Sequence, residues 1–92
     1  MDGGYWVYIL ASKRNGTLYV GMTEYLGRRI WQHREGTADA FTRRHGVKRL
    51  VHAERVEHLD DARVRERQLK RWRRQWKLEL IETDNPEMAR LG

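Results

Sequence analysis

The 92-residue chain has no cysteine, which excludes both a disulfide framework and a thiolate metal site. Its one proline, Pro86, sits near the C-terminal end and bars simple continuation of a helix there. No run approaches the roughly 18 apolar residues of a membrane span. The opening MDGGYWVYILASKR has a brief apolar run without a basic flank, so no signal peptide is expected. Internal repeats and low-complexity linkers are also missing. These absences lead to the expectation of a soluble, cytoplasmic protein. The length suits one domain over residues 1–92, with a modest core within about 5–82 and a tail over 83–92.

Acidic residues are in short supply relative to basic ones. Nineteen Lys and Arg face thirteen Asp and Glu, giving a net charge of +6 and a pI near 10.2. That balance favours a polyanionic partner, because each cation placed on a phosphate releases a condensed counterion. A ribosome-associated protein, a nuclease and a membrane-surface protein all share the property, so charge alone does not choose among them.

Two β-rich runs are present, YWVYILA (5–11) and TLYVGMT (17–23), on either side of SKRNG, whose Asn15-Gly16 is a turn signal. They predict a hairpin. Alternation puts Trp6, Tyr8 and Leu10 on one face of the first strand, and Tyr19 and Gly21 on one face of the second. Any register that pairs residues with an odd sum, 8 with 19 for example, brings Tyr8 and Tyr19 out together. Thr23 is then an N-cap candidate, with Glu24 in the first turn of a helix EYLGRRIWQHRE that stops at Gly36. Leu26, Arg29, Ile30 and His33 follow the i, i+3, i+4, i+7 spacing of a core-facing stripe, so two polar residues lie where the helix should meet the sheet.

Residues 36–46, GTADAFTRRHG, predict a loop or short helix carrying Arg43, Arg44 and His45. KRLVHAERVE (48–57) predicts a third strand, and Asp60 or Asp61 can cap the helix that follows. That helix contains ARVRERQLKRW (62–72), with five basic residues and one acid, Glu66. Ala62, Glu66 and Leu69 share the core-facing spacing. Glu66 could simply pair with Lys70 at i+4, worth a few tenths of a kcal/mol, or it could hold a divalent ion. Beyond Trp72, the run RRQWKLELIE offers Trp76, Leu80 and Ile81 to the core, and both tryptophans are expected to pack there rather than stack on bases. The predicted fold is α+β, a small three-stranded antiparallel sheet packed with helices in the order β-β-α-β-α-α.

With Tyr8, Tyr19, Arg29, His33 and Glu66 in hand, a resemblance follows. WVY (6–8), followed eleven residues on by YVG (19–21), resembles the paired motif of the GIY-YIG nucleases. That superfamily has an arginine ten residues after the second motif's tyrosine, matched by Arg29. It often has a histidine or tyrosine four residues later, matched by His33, and a metal-binding glutamate on a later helix, matched by Glu66. The likeness covers residues 5 to about 82. LYVGMT, GRRIWQHREG, FTRRHG and RERQLKRWRR resemble the small stand-alone bacterial members of uncharacterised-family type. NPEMARLG resembles their Asn-Pro-Glu tail, with Met88 where an aromatic is usual. Departures are Trp6 and Val7 for the first motif's Gly and Ile, Val20 for the second motif's Ile, and Met22 where some members carry lysine. Asn85 lies too far past Glu66 to match the asparagine some members use.

The resemblance implies a metal-dependent endonuclease acting on DNA, whether single-stranded, branched or duplex, with RNA also open. A domain this small has no evident sequence-reading module. Glu66 would hold one Mg²⁺ or Mn²⁺, since Mg²⁺ commonly keeps several waters and needs one or two protein ligands plus phosphate. Arg29 offers a planar fork for phosphate oxygens. A phenol of pKa near 10 is ionised about one part in a thousand at neutral pH, a cost of roughly 4 kcal/mol, which a nearby cation would reduce. Tyr8 with His33 is the preferred pair for activating water and Tyr19 the positioning group; the sequence leaves the reverse assignment open. Arg43, Arg44, Arg65, Arg71, Arg73 and Arg74 are candidate phosphate contacts. His45, His52 and His58 have no metal-ligand spacing. Taken singly, each residue has a structural explanation, and it is their conjunction that points to a site. The rival expectation is a nucleic-acid-binding module that no longer cuts, and a protein-interaction adaptor stands behind it.

Overall fold

Strand alternation builds both faces of the sheet. In the computed structural model, which describes residues 4–13 and 16–84, β1 (Tyr5–Ala11) and β2 (Leu18–Thr23) pair antiparallel. A third strand, β3 (Arg49–Val56), pairs antiparallel on the other side of β1, giving the order β2-β1-β3. The central strand is buried on both sides. Val7, Ile9 and Ala11 face Ala62, Leu69 and Ile81, whereas Tyr8 and Leu10 cluster with Val47, Leu26 and Ile30. The predicted α+β class and the three antiparallel strands are what the structure contains. Asn15 of the turn signal lies outside the described residues, as do Asn85, Pro86 and Met88.

The hairpin register pairs Tyr8 with Gly21 and Leu10 with Tyr19. It is an odd-sum register, so the two tyrosines share a face, although Tyr8 sits opposite Gly21 rather than Tyr19. The glycine has a steric cause. A Cβ built on Gly21 would lie 2.5 Å from both Cζ and the hydroxyl oxygen of Tyr8, and 3.0 Å from Cε1 of Tyr19. The Tyr8 ring therefore lies across the backbone of its cross-strand partner, a close approach that only glycine permits.

The first helix, α1 (Leu26–Glu35), starts two residues later than its pattern predicts. Thr23 caps no helical turn; its Oγ1 accepts the Tyr25 amide at 3.1 Å and bends the chain ahead of the helix, leaving Glu24 outside it. The stop at Gly36 is as expected, with φ 77° in the left-handed region. Residues 40–45 adopt the short-helix alternative, α2 (Ala40–His45), capped by Asp39 and closed by Gly46. The next helix, α3 (Leu59–Arg71), begins after His58, which makes no side-chain cap. Asp60 and Asp61 lie inside its first turn, where they favour the dipole without capping. A last helix, α4 (Arg74–Asp84), follows.

The apolar face of the sheet is covered by α3 and α4. Ala62 and Leu69 are fully buried, Ile81 is buried, and Trp72 and Leu80 pack partly against them. Trp76 departs from expectation: it is 47% exposed and stands edge-on to Trp72, with ring centroids 6.0 Å apart. Five residues before Ile81, it lies about 140° round the helix from the buried stripe. A polar clamp holds the same helices to β3. Arg65 forks onto Glu54 through Nε (2.7 Å) and Nη2 (2.8 Å), donates to Gln68 at 2.7 Å, and lies over the Trp72 ring. Buried His52 sits between the carboxylates of Glu54 and Asp84. The Arg65 bond holds the Glu54 carboxyl below its usual range despite burial.

Two expected outcomes follow from this packing. Leu69→Ala should cost about 2–5 kcal/mol in urea unfolding, while Val64→Ala, at an exposed position of the same helix, should stay within about 0.5 kcal/mol. Gly21→Ala should keep the sheet but push the Tyr8 ring off its seat. An unchanged Tyr8–His33 contact in NOE spectra of that variant would show that the glycine is not what permits the approach.

Candidate active site

The polar face of the sheet is closed by α1. Leu26 and Ile30 seat this helix against Tyr8 and Leu10, and His33, on the same stripe, is carried into the interior at 1% exposure. The Nε2 atom of His33 lies 3.1 Å from the Tyr8 hydroxyl. Its ring centroid is 5.9 Å from that of Tyr8 and 5.4 Å from that of Tyr19, and the two phenol rings are 6.4 Å apart. The Tyr19 hydroxyl donates to Oδ2 of Asp39 at 3.4 Å. Strand β1, strand β2 and helix α1 thus each deliver one ring to a common cluster.

Arg29 on α1 and Glu66 on α3 act on this cluster through their charge: Arg29 lowers, and Glu66 raises, the pKa of both phenols. Burial is nevertheless the larger influence. It pushes the Tyr8 phenol well above its ordinary value, helped by Tyr19, and raises Tyr19, helped by Asp39. Arg29 acts on both phenols in the direction expected of a nearby cation, but desolvation of a phenolate outweighs it. Burial, then Arg29, also lowers the His33 pKa against the pull of Asp39, which favours a neutral imidazole at neutral pH.

Of the two explanations of Glu66, the structure contains the ion pair. The i,i+4 ion pair with Lys70 forms at 3.1 Å, and the carboxylate, half-buried between Ala62 and Leu69, also acts on the phenols. Among the described residues no group of three or more His, Asp and Glu is arranged to hold a metal. A single half-buried carboxylate still fits Mg²⁺, which keeps much of its water shell and uses few protein ligands.

The basic residues divide into two kinds. Arg43 and Arg44 are exposed on α2, and Arg71, Arg73 and Arg74 are exposed around the α3–α4 corner, with Arg73 over the Trp76 ring. Arg65 is held by Glu54 and Gln68, so its fork is already engaged. A shallow hollow of about 220 Å³ beside Arg29 is lined by Thr23, Tyr25, Arg28 and Gln32 as well.

Sequence reasoning predicts a loop or short helix over residues 36–46 and singles out none of Asp39, Phe41 and Thr42 there. Asp39 Oδ1 accepts the amides of Phe41 (2.7 Å) and Thr42 (3.3 Å), Thr42 Oγ1 lies 3.0 Å from His33 Nδ1, and the Phe41 ring is 6.4 Å from that of Tyr19. The cap at Asp39 and the stop at Gly46 are readable as helix boundaries. That Thr42 would meet His33 is not, because nothing local connects them.

Comparison with known proteins agrees with this geometry. The family model described as the GIY-YIG catalytic domain matches residues 4–79. A UPF0213 protein of Clostridium perfringens is 40% identical over 76 residues, covering 83% of this chain and 81% of its own. A UPF0213 protein of Syntrophus aciditrophicus is 39% identical over 83 residues, covering 89% and 93%. The solution NMR structure of a UPF0213 protein from Bacillus halodurans superposes with a TM-score of 0.54 at 31% identity, over 87% of this chain and 84% of that one. With two tyrosines on adjacent strands, a family match over most of its length and small UPF0213 proteins as relatives, the chain belongs to the GIY-YIG domain family, a nuclease superfamily.

Proposed function

We propose that the protein is a divalent-metal-dependent endonuclease that hydrolyses phosphodiester bonds in DNA, selecting strand state or branching rather than a long sequence. The observation that supports this most is the ring cluster: the rings of Tyr8, Tyr19 and His33 are in mutual contact, and the charges of Arg29 and Glu66 act on both phenols.

In this reading Tyr8 takes a proton from the attacking water while passing its own to His33 Nε2, 3.1 Å away. The raised pKa keeps the phenol protonated at rest, so the two transfers accompany each other and no free phenolate accumulates. A neutral His33 has a lone pair to receive the proton. Arg29 grips the non-bridging oxygens and offsets charge that builds on the phosphorus centre. Tyr19, held by Asp39, orients the water or the phosphate. Glu66 would hold the divalent ion, which when bound would supply Lewis-acid polarisation of a phosphate oxygen and charge neutralisation at the leaving oxygen. Exposed Arg43, Arg44, Arg71, Arg73 and Arg74 track the backbone, which provides affinity without sequence choice. A module that only binds would need those arginines but would use Glu66 for its Lys70 ion pair alone.

Labelled single-stranded, duplex and branched DNA, incubated with and without Mg²⁺ or Mn²⁺, tests the proposal. Metal-dependent cutting is expected, reduced on the order of a hundredfold or more in Glu66→Ala and in Arg29→Ala, with the melting temperature little changed. Binding without cleavage of any substrate would favour the non-catalytic rival; unfolding of Arg29→Ala would make that residue structural. The pH profile gives a further check. The acceptor must be neutral His33, whose pKa is lowered from 6.5, so activity should fall only as pH drops below that value. An acid limb centred above it removes His33 from the relay.

A further inference from the structure

Asp39 and Thr42 lie outside the five-residue set, yet they close a continuous hydrogen-bonded path between the two phenols. The Tyr19 hydroxyl donates to the Asp39 carboxylate at 3.4 Å. The Asp39 backbone carbonyl accepts the Thr42 hydroxyl at 3.1 Å. Thr42 Oγ1 is 3.0 Å from His33 Nδ1, and His33 Nε2 is 3.1 Å from the Tyr8 hydroxyl. Thr42 is fully buried and His33 and Tyr8 nearly so, at 1% and 2% exposure.

The hydrogens on this path can be assigned by counting. A threonine hydroxyl has one hydrogen, and here it goes to the Asp39 carbonyl. Towards His33 the oxygen can then only accept, so Nδ1 must carry a hydrogen. A neutral imidazole carries one, which leaves Nε2 bare and facing the Tyr8 O–H. The opposite tautomer would turn the Thr42 hydrogen towards Nδ1 and aim an Nε2–H at the Tyr8 oxygen. The phenolic hydrogen would then have no acceptor among the hydrogen bonds of the described residues. One arrangement places three hydrogens, the other two.

The same aspartate holds the helix that presents Thr42. A six-residue helix has little stability of its own, and Asp39 satisfies two of its free amides through Oδ1 while its Oδ2 faces Tyr19. We infer that Thr42, held in place by Asp39, is a positioning residue that fixes His33 in the Nδ1–H tautomer and so makes Nε2 the proton acceptor for Tyr8. Its catalytic consequence rests on the proposed nuclease activity. The tautomer itself is a property of the resting protein.

That separation sets the experiment. Long-range ¹H–¹⁵N spectra of the ¹⁵N-labelled full chain at mildly alkaline pH should give His33 a protonated Nδ1 and a bare Nε2. A protonated Nε2 in the wild-type protein overturns the inference, and this measurement needs no variant to fold. Thr42→Val keeps the shape and removes the hydroxyl, so His33 should move towards the Nε2–H form, whereas Thr42→Ser should keep the wild-type pattern. In cleavage assays kcat should fall on the order of a hundredfold in Thr42→Val, the scale of a lost general base. KM should not change, and Thr42→Ser should restore the rate. A folded Thr42→Val variant with the wild-type tautomer overturns the inference even if its rate falls. If the wild-type protein cuts nothing, the nuclease proposal fails and the spectra alone decide the tautomer.

Discussion

The contact between Tyr8 and His33 ties the centre of the sheet to the first helix, and the polar face is arranged around it. It requires a phenol laid flat across β2, and that in turn requires Gly21 opposite Tyr8. With the ring in place, Leu26 and Ile30 can dock α1 against Tyr8 and Leu10, which swings His33 inside and leaves Arg29 at the cleft. A buried imidazole and a buried phenol would each be costly without a partner. Each supplies the other's, and Thr42 satisfies the second ring nitrogen.

The two faces of the sheet are stabilised differently. On the side of α3 and α4, Val7, Ile9, Leu69 and Ile81 form an ordinary apolar core. Its edge is held by Arg65, Glu54, His52 and Asp84, groups that belong to three elements and are partly shielded from water. Such a clamp contributes more to relative placement than to net stability, because desolvation offsets much of the attraction between charges. Placement matters here because α3 also carries Glu66. A helix seated by Ala62 and Leu69, with Arg65 tied to Glu54, carries Glu66 half-buried on its inner side while its outer side stays exposed.

The candidate site thus combines a buried polar cluster with an exposed basic exterior. Tyr8, His33 and Thr42 are buried and hydrogen-bonded to one another. Arg43, Arg44, Arg71, Arg73 and Arg74 sit on exposed helix surfaces, suited to following a phosphate backbone of varied shape. Opposing effects on the phenols also become intelligible. Burial raises both pKa values while Arg29 lowers them, and because burial is the larger influence both phenols stay protonated at rest.

What the sequence determined by itself were the features with a local cause. Alternating β-formers defined β1 and β2, the odd-sum register put Tyr8 and Tyr19 on one face, and the Leu26–Ile30–His33 spacing turned a histidine inward. Gly36 ended α1 because glycine tolerates the left-handed conformation. Trp76 was misjudged because hydrophobicity does not say which side of a short helix meets the core. The late start of α1 was hidden because Thr23 bonds to the Tyr25 amide rather than capping a turn. Tertiary structure alone decided that Thr42 touches His33, that Arg65 closes on Glu54 and that His52 lies between two carboxylates. Each of these depends on where separate elements dock, and a one-dimensional pattern does not encode the distance between side chains brought together from different elements.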